Sequence, residues 1–110
     1  MANISDPVAL AGKFDWRFGS LTVAGLVTTQ FLVQNPQRVA IWLTTPNGVF
    51  FVGPDSSVST TKGFRMDQNS QQWWVLFRDF GSLVGSDWYC QEIVGGGDIQ
   101  WIEVLFFPER

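Results

Sequence analysis

The sequence contains no histidine and a single cysteine, Cys90. Histidine is the usual general base near neutral pH and the commonest transition-metal ligand. Its absence removes every nucleophile–histidine triad, and one cysteine cannot assemble a zinc site of ordinary composition. Cys90 sits in the alternating aromatic stretch Trp88-Tyr89-Cys90-Gln91-Glu92-Ile93, which reads as strand. With no imidazole to lower its pKa, it reads as a small buried hydrophobe and not as a reactive thiol.

Carboxylates are the remaining route to catalysis. Asp79, Asp87, Glu92, Asp98 and Glu103 fall on or beside expected strands, and a glycosidase needs two such groups facing across a cleft. Solvated strand faces and turns account for all of them. Asp55-Ser56-Ser57, with Asn47 nearby, supplies oxygen atoms but too few carboxylates for calcium, so turn capping is the better account. Gly95-Gly96-Gly97-Asp98 reads as a hairpin loop between strands and not as a phosphate cradle, because no helix follows it. The chain therefore reads as a non-enzyme, with no catalytic residue, metal or cofactor.

The elements that would position any site are strands. A length of 110 residues allows one hydrophobic core. Short β-branched and aromatic runs recur between Gly, Pro, Asn and Asp clusters, and no stretch shows helical spacing. Strands are expected at 25–34, 38–44, 49–52, 57–61, 72–79, 87–94 and 99–107. Pro46-Asn47-Gly48 marks a tight reversal that makes the second and third of these a hairpin. The fold class is all-β: an antiparallel β-sandwich or jelly-roll-like barrel of about seven short strands. Residues 1–12 read as an N-terminal arm and residues 13–110 as the sandwich domain, with Phe14, Trp16 and Phe18 alternating as an edge strand.

Charge limits the partners. Seven basic and ten acidic residues give a formal charge of −3, and the basic ones are scattered, so the stripe that nucleic-acid binding requires is missing. No apolar run approaches the roughly 20 residues that span a bilayer, and no basic-then-apolar secretion signal opens the chain. The expectation is a soluble protein bound to neither nucleic acid nor membrane.

Six tryptophans and ten phenylalanines stand out instead. With side chains alternating at period two, Trp73, Val75 and Phe77 share one face while Trp74, Leu76 and Arg78 share the other. In the last strand Ile102, Val104 and Phe106 oppose Trp101, Leu105 and Phe107, interrupted only by Glu103. A sandwich buries one face of each sheet, so a second apolar face calls for another cover. Trp74, Leu76, Trp101, Leu105 and Phe107 are assigned to that second face as the candidate interface, covered by another copy or by a different protein. The competing cover is the N-terminal arm, folded across with Phe14, Trp16 and Phe18. A further alternative is carbohydrate stacking on Trp42, Trp73, Trp74, Trp88 or Trp101. Arg38, beside the Asn35-Pro36 turn, reads as a surface pairing residue whose removal leaves stability nearly unchanged.

The stretch from Asn35-Pro36-Gln37-Arg38 to Leu43, followed by Val49-Phe50-Phe51-Val52-Gly53-Pro54-Asp55 and the Val58-to-Phe64 run, resembles small β-sandwich structural proteins of tailed-phage virions. The shared pattern is an Arg-led strand, a turn, a strand ending in Val-Gly-Pro, a Val-Ser/Thr strand and a Gly before an apolar residue. The resemblance implies a decoration or cement-type subunit, or a neck, tail or fibre-base component. It would assemble in the host cytoplasm into the virion, bound to itself and to major capsid or tail subunits through apolar aromatic surfaces.

Overall fold

The computed structural model describes residues 12–67, 72–93 and 95–108. Its strands are β1 (Gly12–Val23), β2 (Thr29–Leu32), β3 (Arg38–Asn47), β4 (Phe50–Gly53), β5 (Phe64–Met66), β6 (Gln72–Leu76), β7 (Trp88–Glu92) and β8 (Gly97–Pro108). A four-residue helix α1 (Phe77–Phe80) and a 3-10 turn (Gly81–Gly85) separate β6 from β7.

β1 pairs with β8, β2 with β7, β3 with β6 and β4 with β5, all antiparallel. The chain is thus one long antiparallel ribbon, rolled until β8 also meets β3 and β7 also meets β4. Two four-stranded sheets result, in the orders β1-β8-β3-β6 and β2-β7-β4-β5. This is the jelly-roll arrangement, built as an open sandwich and not as a closed barrel.

The roll corrects two expected hairpins. β3 and β4 lie in different sheets, as do β7 and β8, so Pro46-Asn47-Gly48 and the glycine-rich loop are crossovers between layers. The β4–β5 pair is the hairpin instead. Residues 57–61 form turns with a Ser59–Lys62 bridge, because Asp55 and its neighbours satisfy one another locally. The run expected through residue 79 leaves the sheet at Leu76, where the chain coils to bring Val84 into the core, fully buried. Residues 1–11 of the expected arm lie outside the described residues, and Gly12 already belongs to β1.

Inward-facing Ile41, Leu43 and Val75 from one sheet meet Phe50, Val52 and Cys90 from the other, each at most 1% exposed. Charge also enters this interior. Arg38, only 2% exposed, donates Nε to Glu103 Oε1 at 3.0 Å and Nη1 to the carbonyls of Val84 and Ser86 at 3.1 and 2.9 Å. Its Nη2 reaches the Val33 carbonyl. The expected surface residue is therefore a buried clamp, which ties β8, the 3-10 turn and the end of β2 to the start of β3. A register shift after Arg38 lets it point inward while Ala40 faces outward.

Candidate functional site

The outer face of the β1-β8-β3-β6 sheet follows from its ladder registers. Residues paired across antiparallel strands share a side. One row reads Phe18, Ile102, Trp42, Trp74, and the next Trp16, Val104, Ala40, Leu76. Phe14 and Phe106 extend the field over β1 and β8. In the other direction Ser20, Gln100, Thr44 and Gln72 form a polar row that ends it. No charged side chain interrupts these apolar rows. Trp16 is 64% exposed, Phe18 59%, Phe14 53% and Trp74 51%.

The rings hold one another on this surface. Phe14 and Phe106 lie 5.0 Å apart between centroids, and Trp42 and Trp74 6.3 Å apart at 49°. Strands about 4.8 Å apart and residues about 3.4 Å apart along them give the field a footprint on the order of 400 Å². The largest apolar patch on a typical monomer is about 300–600 Å² and often functional, and this face matches that size.

Trp74 and Leu76 lie on this outer face, as assigned. Trp101 and Leu105 do not. Trp101 faces inward against Phe31, with ring centroids 5.2 Å apart, and Leu105 is fully buried. Phe107 shares their side of β8 at its exposed end. The inversion has a cause in Glu103, which occupies the inward side because Arg38 pairs with it there. Trp101 and Leu105 lie two residues away on either side and follow it inward. The outward set is Ile102, Val104 and Phe106 instead. Phe14, Trp16 and Phe18, considered as a cover for the second face, widen it, since β1 pairs beside β8. Their alternation with Asp15 and Arg17 was the legible signal.

The candidate carboxylates are occupied structurally. Glu92, fully buried and not solvated as expected, accepts from the backbone N–H groups of Val49, Gly95 and Gly96 at 3.1, 2.9 and 2.6 Å. Gly95 and Gly96 adopt φ of 113° and 117°, backbone that glycine reaches without strain, and so wrap the carboxylate. The loop thus cradles an anion, and that anion is the chain's own side chain. Asp98 accepts from Thr22 and Asn47 at 2.7 and 2.8 Å, which hold its carboxyl below the usual range, the Thr22 bond contributing most. Asp87 accepts from the Gln34 N–H at 2.6 Å, and Asp79 lies 3.8 Å from Arg78 at the surface. Asp55 accepts from the hydroxyl and N–H of Ser57, which lower its pKa and make it a turn cap. Burial pushes the Cys90 thiol up to about 12. Among the described residues no group of three or more Cys, Asp or Glu side chains is arranged to hold a metal ion.

The tryptophans proposed for sugar stacking fall into two pairs, Trp42 with Trp74 and Trp73 with Trp88, and Trp101 apart from them. Trp88 is buried in the core, Trp73 is stacked on Phe64 with centroids 3.7 Å apart, and Trp101 faces Phe31. Trp42 and Trp74 remain on the outer face. A cleft of about 510 Å³, lined by Val52, Val58, Phe64, Trp73, Phe80 and Trp88, opens at the 54–63 loop. Its lining is apolar, with Asp55, Ser57 and Lys62 as its charged and hydroxyl groups.

No protein-family model matches the chain, and no curated protein matches it. Among solved structures, its fold is similar to a chain described under Bacillus endospore appendages, a novel family of disulfide-linked pili. The two superpose with a TM-score of 0.52 at 6% identity, over 90% of this chain and 91% of that one. At such identity the likeness concerns the fold.

Proposed function

We propose that the chain is a non-catalytic structural subunit that assembles with copies of itself through the outer face of the β1-β8-β3-β6 sheet. The uninterrupted apolar field on that face, rich in aromatic rings, carries the reading, since apolar area of this kind is favourably removed from water. The similarity to a chain of a pilus-forming family supports a polymerising role. Its disulfide linkage would not carry over through Cys90, which is fully buried. A footprint near 400 Å² is about half the ~800 Å² per partner of a standard interface. One such contact is weak, and repetition over many copies supplies the strength.

The finer reading is a decoration or cement-type subunit of a tailed-phage particle, joined to capsid or tail proteins within the virion. The central resemblance supports it, as does the strand order, which viral capsid domains use. Lectins use that order too, but of the proposed stacking residues Trp42 and Trp74 on the outer face are tilted by 49° to each other, and Trp73, at the apolar cleft, is already stacked on Phe64. Light scattering and sedimentation, alone and with purified capsids or tails, test the proposal. Concentration-dependent association, weakened by Trp74→Ser with unchanged melting, is expected. A monomer that binds no assembly overturns it, and sugar-dependent retention in an affinity gel would favour the lectin reading.

A further inference from the structure

We propose that the edge of β1 left unpaired among the described residues pairs antiparallel with β1 of a second copy, in the register that sets Trp16 opposite Trp16. The inference rests on the self-assembly reading and adds the edge, the partner strand and the register.

β1 is an outermost strand of its sheet, pairs with β8 along its whole length without a register shift, and contains no proline. An edge that long and regular is a template for another strand unless it is blunted. The charges on β1, Lys13, Asp15 and Arg17, alternate with exposed Phe14, Trp16 and Phe18 and blunt the edge against any strand that does not match them with opposite charge. The Trp16 N–H donates to the Asp15 carboxylate at 2.9 Å, a partner from its own strand.

The order Phe-Asp-Trp-Arg-Phe over residues 14–18 is self-complementary in the antiparallel sense. Centred on Trp16, Phe14 faces Phe18 and Asp15 faces Arg17, each twice by symmetry. Directly opposed residues share a side, so the aromatic field of one copy continues into that of the next. Other centres lose this match. Centring on Asp15 opposes Asp15 to itself and Lys13 to Arg17, and centring on Arg17 opposes Arg17 to itself. Centring on Phe14 does pair Lys13 with Asp15, but the described strand then overlaps only over residues 12–16, against 12–20 for the Trp16 centre. Registers shifted by a single residue set one copy's aromatic side beside the other's charged side. The Trp16 register combines opposite charges with matched rings, over a longer ladder than the Phe14 centre allows.

Cysteine cross-linking in the full chain tests the register, because the native Cys90 is buried and leaves the wild type as a clean control. Trp16→Cys should give disulfide-linked dimers under mild oxidation. Phe14→Cys and Phe18→Cys should each cross-link poorly alone and at least fivefold better when mixed. Asp15→Arg should weaken association measured by sedimentation about tenfold, since it opposes two arginines, with an unchanged melt at this exposed position. If the protein associates by light scattering yet Phe14→Cys alone cross-links as well as Trp16→Cys, or none cross-links, the β1 register is overturned and assembly through the sheet face stands. If the wild type stays monomeric at every concentration, both are overturned.

Discussion

Replacing Arg38 with alanine removes a guanidinium whose hydrogen bonds go to Glu103 and to the carbonyls of Val33, Val84 and Ser86. The side chain is 1% exposed and its Glu103 partner 12%, so the carboxylate left behind stays largely shielded from water. Breaking a buried pair by deleting one partner costs about 3–5 kcal/mol. Each carbonyl that loses its donor while buried adds on the order of 1 kcal/mol, offset where water enters the space the side chain leaves. A net loss of about 4 kcal/mol is expected, a large share of the roughly 5–15 kcal/mol that stabilises a typical domain. At about 4 °C per kcal/mol for a chain of this size, melting should fall by some 15 °C. Near-ultraviolet circular dichroism or tryptophan emission against temperature and urea reads it. Glu103→Gln, which keeps an acceptor for Arg38, should cost less, and the double variant less than the sum of the two singles. A loss under about 1 kcal/mol for Arg38→Ala would refute the buried-clamp account.

Glu92→Ala should destabilise by about 2 kcal/mol, since the Val49, Gly95 and Gly96 N–H groups lose a charged acceptor while the two exposed glycines turn in part to water, and amide exchange at Gly95 and Gly96 should accelerate. The Asp98 carboxyl, lowered chiefly by Thr22, should titrate below its ordinary value of 3.8, and Thr22→Val should move the carbon-13 midpoint upward. By linkage a depressed carboxyl favours the fold above its unfolded pKa, so that contribution is lost as pH falls through the lower folded value. Cys90, with its thiol pushed to about 12, should resist Ellman's reagent at pH near 8 in the native protein and react on unfolding. A fast native reaction would show that the thiol is accessible. Gly19→Val should displace Trp101, because a Cβ at residue 19 would lie 2.3 Å from its ring, with a lowered melt and a red-shifted emission as the readout.

Period-two alternation and turn residues were enough to define the class of the fold and most of its strands. Alternation is local, set by backbone geometry alone, and it correctly paired Trp74 with Leu76 and separated Ile102 from Trp101. The doubly apolar last strand was legible for the same reason, as was the turn role of Asp55. Which face of β8 points outward was not, because the deciding contact joins Arg38 and Glu103 across 65 positions of chain. A charge that finds a buried partner reverses the ordinary inference that charged residues face water. Short turns cannot reveal whether the next strand returns to the same sheet or crosses to the other, so both misjudged hairpins were decided by the ribbon rolling up. The same rolling places β1 beside β8 and turns Phe14, Trp16 and Phe18 from a candidate lid into part of the exposed face, because pairing fixes the side on which each residue of an edge strand must lie.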